Sequence, residues 1–191
     1  MEIYGVILSA GKSTRMGMPK ALVKIRGRTF LDIIFTNMAK AGIDNVYAIV
    51  GQDEKLIKKG IETKRIKILV NPDFDAEQFA SIKLAISQLF NKAPAIMFAL
   101  VDHPFVKLET YKKLLYSAKK IKNKILIPAY NHKAGHPIII PENTYNLFLQ
   151  TTRRTAREVI HNHRELVEFL EVKDEHILKN INRKEELTNE V

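Results

Sequence analysis

Three cations lie close together after the first apolar run of the chain, beside two glycines. They are Lys12, Arg15 and Lys20, and the glycines are Gly11 and Gly17. Glycine lets backbone N–H groups approach a phosphate closely, and Lys and Arg side chains neutralise its oxygens. A turn this long with three cations suits a triphosphate better than a single phosphate. An ordinary flexible loop between a strand and a helix is the alternative.

Two common nucleotide motifs do not fit this loop. The pattern GxxxxGK[ST] requires glycine at position 6, which is Val6, and Gly5 is one residue out of register. The pattern GxGxxG fails because Gly11 and Gly17 are too far apart. The sequence therefore disfavours both the P-loop and the dinucleotide-binding fold.

Asp102 is the best candidate for a metal ligand, because it follows the most hydrophobic run of the chain. Mg²⁺ prefers oxygen ligands, usually one or two carboxylates completed by water and phosphate. Asn182 could supply a second, neutral oxygen. The alternatives are that Asp102 caps the next turn and that Asn182 is an exposed turn residue.

For three further polar residues, a purely structural role is supported about as well as a role in ligand binding. Asn71 precedes Pro72 and could form a turn, Ser81 could cap a helix, and His136 could be a turn histidine between Gly135 and Pro137. Zinc is disfavoured, because no cysteine is present and the histidines lack ligand spacing.

Apolar runs of strand length alternate with helical patterns, which predicts a mainly parallel sheet covered by helices on both faces. Ligands bind beyond the carboxyl ends of such strands, so the loops after Leu8, Val50, Val70 and Val101 carry functional weight. The predicted strands are Ile3–Leu8, Val46–Val50, Ile66–Val70, Ala95–Val101, Ile125–Ile127, Pro137–Ile140 and Val167–Leu170. Helices are predicted over Phe30–Ala41, Ile82–Leu89 and Leu108–Ala118, and the tail Arg183–Val191 resembles a short polar helix.

Length and composition favour a single globular domain over residues 1–191, with 46% hydrophobic and 27% charged residues. No apolar run approaches the roughly 20 residues of a membrane-spanning helix, and the amino terminus lacks a basic signal-peptide region, so we expect a cytoplasmic protein without membrane partners. The net charge of +10 suits anionic ligands. Nucleic acid is an unlikely partner, because no basic arm with interleaved aromatic residues is present.

The string Leu8-Ser9-Ala10-Gly11-x-Ser13-x-Arg15-Met16-Gly17-x-Pro19-Lys20-Ala21-Leu22 resembles the signature LxAGxSxRMGxPKxL of the nucleotidyltransferases of molybdenum cofactor biosynthesis, particularly the molybdenum cofactor cytidylyltransferases. The resemblance implies a three-layer αβα fold of the nucleotide-diphospho-sugar-transferase type. It also implies that Arg15 and Lys20 hold the triphosphate and stabilise charge on the leaving pyrophosphate. The loop backbone would wrap the nucleotide, through Leu8, Ser9, Ala10, Gly11, Lys12 and Gly17.

Four further segments keep register with that family. Asn71 with Ser81 resembles its base and ribose pocket, and Asp102-His103-Pro104 resembles its DQP. Gly135-His136-Pro137 resembles its GHP, and Asn180-Ile181-Asn182 its closing DIDT or NINT. The resemblance implies that acceptor-binding residues are His103, Gly135, His136 and Arg157. Together with the residue chemistry it implies Mg²⁺ on Asp102 and Asn182, and catalysis by Arg15, Lys20 and Asp102.

The chain departs from the family pattern in three places. Gln78 replaces a usual glycine after Asn71, which puts the nucleotide specificity in doubt. The family's GDxGAR segment aligns with Thr152-Arg153-Arg154-Thr155-Ala156-Arg157, which loses both glycines and exchanges an acid for Arg153. We expect this exchange to favour a more acidic acceptor. His103 in place of glutamine is a milder change.

These observations predict a Mg²⁺-dependent transferase that moves CMP from CTP to a molybdopterin-type cofactor and releases pyrophosphate. CTP is favoured because Ser9-Ala10-Gly11 resembles the AAG of cytidylyltransferases rather than the AGG or GGG of guanylyltransferases. The alternatives are a GTP-dependent guanylyltransferase, a cytidylyltransferase for a sugar or polyol phosphate, and a non-catalytic nucleotide-binding module. A molybdoenzyme client is a possible partner.

Overall fold

The computed structural model describes residues 1–11, 17–74 and 78–187. Its strands are β1 (Tyr4–Ser9), β2 (Lys24–Ile25), β3 (Arg28–Thr29), β4 (Val46–Val50), β5 (Lys67–Val70), β6 (Ala95–Leu100), β7 (Ile125–Tyr130), β8 (Lys133–Ala134), β9 (Ile138–Pro141) and β10 (Val167–Glu171). The helices are α1 (Phe30–Ala41), α2 (Glu54–Gly60), α3 (Gln78–Leu89), α4 (Leu108–Lys120), α5 (Tyr145–Leu149) and α6 (Ala156–Asn162). Short 3-10 segments include Lys20–Leu22, Arg164–Leu166, Glu175–Leu178 and Lys184–Leu187.

The main sheet has the strand order β10-β7-β9-β6-β1-β4-β5, with β8 paired to β7. Strands β4, β6 and β1 run parallel at its centre, as do β7 and β10 at one end, whereas β9 is antiparallel to both β6 and β7. The predicted mainly parallel sheet is confirmed. Because of these directions, β1, β6, β7 and β10 all end at the same edge.

Helices cover both faces of this sheet, so the molecule has three layers. One buried cluster joins the sheet to α1, α2 and α4, through residues such as Phe30, Ile57 and Tyr111. The other joins it to α3, α5 and α6, through residues such as Ile82 and Phe148. Central strand residues are buried on both sides, which explains their continuous apolar runs. The predicted αβα architecture is confirmed.

Two hairpins were not predicted from the sequence. Strands β2 and β3 are joined at Arg26 and Gly27, with φ of 48° and 83°, and β7 and β8 at Asn131 and His132, with φ of 49° and 62°. Two-residue turns of this kind need positive φ at both positions, and Arg and His are unusual there. Strand β7 corresponds to the predicted strand Ile125–Ile127, but it continues through Pro128 to Tyr130.

Other element bounds differ by a few residues from the prediction. Helix α3 begins at Gln78 rather than Ile82, so Ser81 lies inside the helix and does not cap it. In the tail, a 3-10 segment spans Lys184–Leu187, and residues beyond it lie outside the described ranges. Among the described helices, none has the length and apolar character needed to cross a membrane.

Candidate active site

The predicted donor loop begins where β1 ends, next to the carboxyl end of β6. The Leu8 carbonyl accepts a hydrogen bond from Val101 N at 3.1 Å, which holds the two strand ends together. The Leu8 side chain is buried in the core, so Leu8 offers a ligand only its backbone. Asp102 follows directly, and its position at this edge comes from the parallel pairing of β1 and β6.

Lys20, Asp102 and Asn182 form a compact polar group, which we name the Lys20 cluster. The Lys20 Nζ donates to Asp102 Oδ2 at 2.9 Å and to Asn182 Oδ1 at 2.7 Å. The Lys20 and Asp102 side chains are each only 19% exposed, so solvent screens their interaction less than at an open surface. The fold thus brings together three predicted residues that are far apart in the sequence.

Backbone contacts hold Asn182 in this cluster. Ile181 N donates to the Asp102 carbonyl at 2.7 Å, and Asn182 N donates to Glu186 Oε2 at 2.6 Å. These N–H groups of Asn182 and Arg183, with the positive charges of Arg183 and Lys20, hold the pKa of Glu186 below its usual value. Glu186 was not predicted as a site residue. Glu186 lies three residues after Arg183, which precedes the 3-10 segment Lys184–Leu187, and a Glu at this spacing from a helix start was the available signal.

The Lys20 cluster fits a divalent cation of the Mg²⁺ type. Two oxygens, Asp102 Oδ2 and Asn182 Oδ1, already converge on one positive charge, the Lys20 ammonium. A carboxylate and an amide oxygen are suitable hard ligands, with water and phosphate completing the shell. Within the described ranges no group of three or more His, Asp or Glu residues is placed to hold a metal ion. A metal ion held by Asp102 and Asn182 would therefore need further ligands from bound phosphate or water.

The loop that carries the other predicted cations is described only at its ends. Lys12 and Arg15 lie outside the described residues. Gly17 has φ of +66°, a left-handed conformation that favours glycine. Ala10 is packed against the loop after β4, because a Cβ added at Gly51 would lie 3.2 Å from the Ala10 carbonyl oxygen. Ser9 ends β1 and Gly11 is exposed.

Asn71 and Ser81, which the resemblance places at the base and ribose pocket, contact each other, and both are buried. Asn71 Nδ2 donates to Ser81 Oγ at 3.2 Å, and Asn71 Oδ1 accepts from Asp73 N at 3.1 Å. Asn71 N also donates to the Val50 carbonyl, which joins the loops after β4 and β5. This pair fixes the backbone of the loop after β5, so its effect on a nucleotide would come through that backbone.

Two histidines connect the Lys20 cluster with the loop before β9. The His103 and His136 rings meet edge to face at a centroid distance of 5.8 Å, and His103 Nε2 lies 3.9 Å from Asp102 Oδ1. Burial lowers the pKa of His103 despite the nearby Asp102 carboxylate. Burial, together with His103, lowers the pKa of His136 to about 4, although Asp102 acts in the opposite direction. Both rings are therefore neutral near pH 7.

Gly135 and His136 are held against the 3-10 segment Glu175–Leu178. His136 N donates to the Ile177 carbonyl at 3.0 Å, and Gly135 N donates to the Pro128 carbonyl at 2.8 Å. A Cβ at Gly135 would lie 2.3 Å from the Ile177 carbonyl oxygen, so a larger residue cannot occupy this position without a shift of the backbone. This close contact explains why position 135 is occupied by glycine.

Gly135, His136 and Arg157 line a groove of about 900 Å³, which we name the α3–α6 groove. It lies between helices α3 and α6 and the strands β7, β9 and β10. Three of the four predicted acceptor residues thus line the same groove, whereas His103 is not among its lining residues and contacts the His136 ring. Sequence reasoning missed Lys133, Arg164 and Phe169 as lining residues. The spacing of Arg157, Ile160, His161 and Arg164, which is typical of one helix face, was the available signal.

Gln78 and Arg153, two of the departures from the family pattern, lie in different places in the structure. Gln78 lines the α3–α6 groove, rather than acting only near the loop of Asn71. Arg153 does not belong to the described lining. Its guanidinium donates to the Asn162 side-chain oxygen at 3.0 and 3.1 Å in the amide orientation that satisfies both groups. Arg157, in the first turn of α6, carries the positive charge into the groove from this segment.

Known proteins similar to this chain differ in their functions. The chain is 30% identical over 146 residues to nicotine blue oxidoreductase of Paenarthrobacter nicotinovorans, which covers 72% of the chain and 70% of that protein. It is 30% identical over 147 residues to the bifunctional protein GlmU of Clostridium perfringens, which covers 73% of the chain and 32% of that protein. The chain thus spans about a third of the GlmU proteins that it matches.

Two solved structures share the fold at low sequence identity. The Rv0371c protein of Mycobacterium tuberculosis, in complex with manganese, has a TM-score of 0.74 and 22% identity, covering 90% of this chain and 89% of that one. Molybdopterin-guanine dinucleotide biosynthesis protein A of Archaeoglobus fulgidus has a TM-score of 0.72 and 19% identity, covering 99% and 96%. Residues 5–167 match the family described as the MobA-like NTP transferase domain. The chain therefore belongs to the MobA-like nucleotidyltransferase family.

Proposed function

We propose that this chain transfers CMP from CTP to the phosphate of a molybdopterin-type acceptor and releases pyrophosphate. The observation that carries this proposal is the Lys20 cluster, in which an ammonium, a carboxylate and an amide oxygen meet at the carboxyl edge of the sheet. This edge is where ligands bind in open α/β sheets. Family membership supports the reaction type, and the substrates are our inference.

On the donor side, the loop Ser9–Lys20 would hold the triphosphate. The Lys20 ammonium, which contacts Asp102 and Asn182 here, would move to the phosphates and neutralise charge on the leaving pyrophosphate. Arg15 would act with it. Mg²⁺, held by Asp102 and Asn182, would screen the phosphate charges and orient the triphosphate. Rv0371c, a protein of the same fold, was solved in complex with manganese, and this supports our proposal that the present chain uses a divalent metal ion.

On the acceptor side, Gly135, His136 and Arg157 would position the acceptor phosphate at the open end of the groove. An oxygen of that phosphate would attack the α-phosphorus of CTP in line. The new P–O bond forms as the bond from the α-phosphorus to the bridging oxygen breaks, and pyrophosphate takes the electron pair. No covalent enzyme intermediate is needed, so catalysis rests on positioning and charge stabilisation.

The preference for CTP over GTP rests on Ser9-Ala10-Gly11 at the end of β1. The chain has Ser and Ala before Gly11, where the guanylyltransferase pattern has one or two further glycines, and this resemblance to the cytidylyltransferase pattern favours CTP. A polyol-phosphate cytidylyltransferase is less favoured. The segment from β7 to β9 is a short hairpin folded against the sheet, with no long arm between Ile127 and Ile138.

The test is a panel of pyrophosphate-release assays. CTP, GTP, ATP and UTP are each combined with Mg²⁺ and with molybdopterin, methylerythritol phosphate or sugar phosphates. We expect release with CTP and molybdopterin, and its loss in Asp102→Ala and Lys20→Ala. Full activity in both variants would contradict the site. Tight CTP binding without release for any acceptor would favour a non-catalytic module.

A second candidate is a redox reaction, favoured by the similarity to nicotine blue oxidoreductase over 70% of that protein. The same phosphate-binding loop could hold a nicotinamide nucleotide, although the chain lacks the GxGxxG pattern. Oxidation of NADH or NADPH with a quinoid dye as acceptor would support this candidate. The absence of oxidation together with pyrophosphate release would exclude it.

A further inference from the structure

The α3–α6 groove is apolar along most of its wall. Its volume of about 900 Å³ exceeds what a phosphate or a small polyol requires. The uncharged polar side chains that line its described part include Gln78, Thr155 and the His136 ring. Its apolar lining comes from both helices and from four strands: Phe79, Ile82, Ile127, Ala134, Ile138, Ala156, Ile160, Val167 and Phe169.

The groove extends along the sheet away from the Lys20 cluster. At one end His136 contacts the ring of His103, which is adjacent in sequence to Asp102. At the other end Arg164 precedes β10, whose first residue, Val167, pairs with Ile125 at the amino end of β7. The groove thus passes from the carboxyl edge of the strands towards their amino ends, which suits an elongated molecule.

All charged side chains in the described lining are basic. Lys133 and Arg157 lie towards the Lys20 cluster, with His136, whereas His161 and Arg164 lie further along α6 and the turn after it. Arg157 lies in the first turn of α6, whereas Arg164 lies in the 3-10 segment after this helix ends, so most of the length of α6 separates them. No carboxylate offsets them among these lining residues. The two arginines can therefore bind two separate anionic groups.

We propose that the acceptor is an elongated molecule with an apolar or aromatic body and two anionic ends. The reacting phosphate lies at His136 and Arg157, and the second anion lies at Arg164. Sugar and polyol phosphates are excluded as preferred acceptors, because their hydroxyls would lose hydrogen bonds to water against this apolar wall. This inference rests on the proposed nucleotidyl transfer and specifies its acceptor.

Ligand binding can be followed by tryptophan fluorescence, independently of catalysis. A tryptophan introduced into the groove would be the only source of this signal, because the chain has no tryptophan of its own. In Phe169→Trp the single tryptophan lies on the groove wall, and its fluorescence reports occupancy by added probes. The probes are 4-biphenylyl phosphate, the same compound with a 4′-carboxylate, geranyl phosphate and glucose 1-phosphate. The first and third probes distinguish a rigid aromatic body from a flexible aliphatic one.

We expect the carboxylated biphenyl phosphate to bind about 10-fold more tightly than biphenyl phosphate, and glucose 1-phosphate to bind most weakly. Arg164→Gln in the tryptophan background should remove the difference between the two biphenyl probes. Arg157→Gln should weaken both about equally. Arg153→Gln is the matched control, because Arg153 pairs with Asn162 outside the described lining, and it should change neither.

Three outcomes would overturn the inference: glucose 1-phosphate binding as tightly as the biphenyl probes, no fluorescence change with any probe, or unchanged discrimination in Arg164→Gln. An assay of pyrophosphate release distinguishes failure of this inference from failure of the proposed function. Release from CTP with sugar phosphates alone would contradict the acceptor class and leave nucleotidyl transfer standing. Binding of the biphenyl probes without release for any acceptor would contradict the transfer and leave the groove assignment standing.

Discussion

The Lys20 cluster and the α3–α6 groove offer a ligand two different physical environments. In the cluster, Lys20, Asp102 and Asn182 satisfy one another through short hydrogen bonds at 2.9 and 2.7 Å. In the groove, cations stand apart along an apolar wall without acidic partners in the described lining. On the proposed function, the ionic cluster would have to exchange partners when a nucleotide binds, whereas the groove would mainly lose water. Substitutions at the two places should therefore affect different measurements.

Asp102→Ala should give the largest effect. Loss of the carboxylate removes an oxygen ligand and an ionic partner of Lys20, and we expect nucleotidyl transfer to fall by about 10²–10³-fold. Titration with Mn²⁺, followed by electron paramagnetic resonance, should show weaker metal binding in the presence of nucleotide. Asp44→Ala, at an exposed position, is the control. Equal metal binding in both variants would remove Asp102 from the metal site.

Lys20→Met should have opposite effects on metal and nucleotide. Its ammonium occupies the two oxygens that suit a cation, so its loss should strengthen Mn²⁺ binding without nucleotide. The same loss should weaken triphosphate binding and lower transfer by about 10²-fold, the size expected for charge-assisted contacts. Lys24→Met, exposed near the same loop, controls for net charge. Weaker Mn²⁺ binding in Lys20→Met would contradict the competition between ammonium and metal.

The histidine pair between the two regions should make stability depend on pH. The folded-state pKa of His136 is about 4, below its ordinary value of 6.5. The unfolded chain therefore binds the proton first as the pH falls, and folding loses up to about 3 kcal/mol between pH 6.5 and 4. Urea unfolding at a series of pH values should show a smaller loss in His136→Asn, with His103 contributing the remainder. An identical loss in that variant would show that His136 does not titrate in this way, and exposed His161→Asn is the control.

Of these substitutions, Gly135→Ala should have the smallest effect. It should lower the stability of the fold and weaken binding of the acceptor rather than of the nucleotide. The added Cβ meets the Ile177 carbonyl, which must move, and we expect the free energy of unfolding to fall by about 2 kcal/mol. Pyrophosphate-release kinetics should show a raised KM for the acceptor with the KM for the nucleotide little changed. Gly11→Ala is the stability control, because no described atom lies within 4 Å of the added Cβ. Equal stability of the two variants would contradict the tight contact.

Much of the donor end could be predicted from the sequence because its residues follow strands directly. Asp102 comes after the apolar run of β6, and parallel pairing with β1 determines that it lies beside the donor loop. The groove was less predictable. Phe169 and Arg164 contribute to it through their positions on and before β10, and β10 pairs with β7, about 40 residues earlier in the chain. Nothing local in the sequence indicates that pairing.

The sequence by itself determined the layered fold, since alternating apolar runs and helical patterns can be buried in few other ways. It also determined the family and the candidate residues Lys20, Asp102, His136 and Asn182. The tertiary structure decided that Lys20 lies between Asp102 and Asn182, and that Asn71 and Ser81 are buried against each other. It also decided that Arg157 and Arg164 line one apolar groove. These outcomes depend on packing between distant segments, because hydrogen-bond partners and cavity walls are chosen only when the helices and strands are assembled.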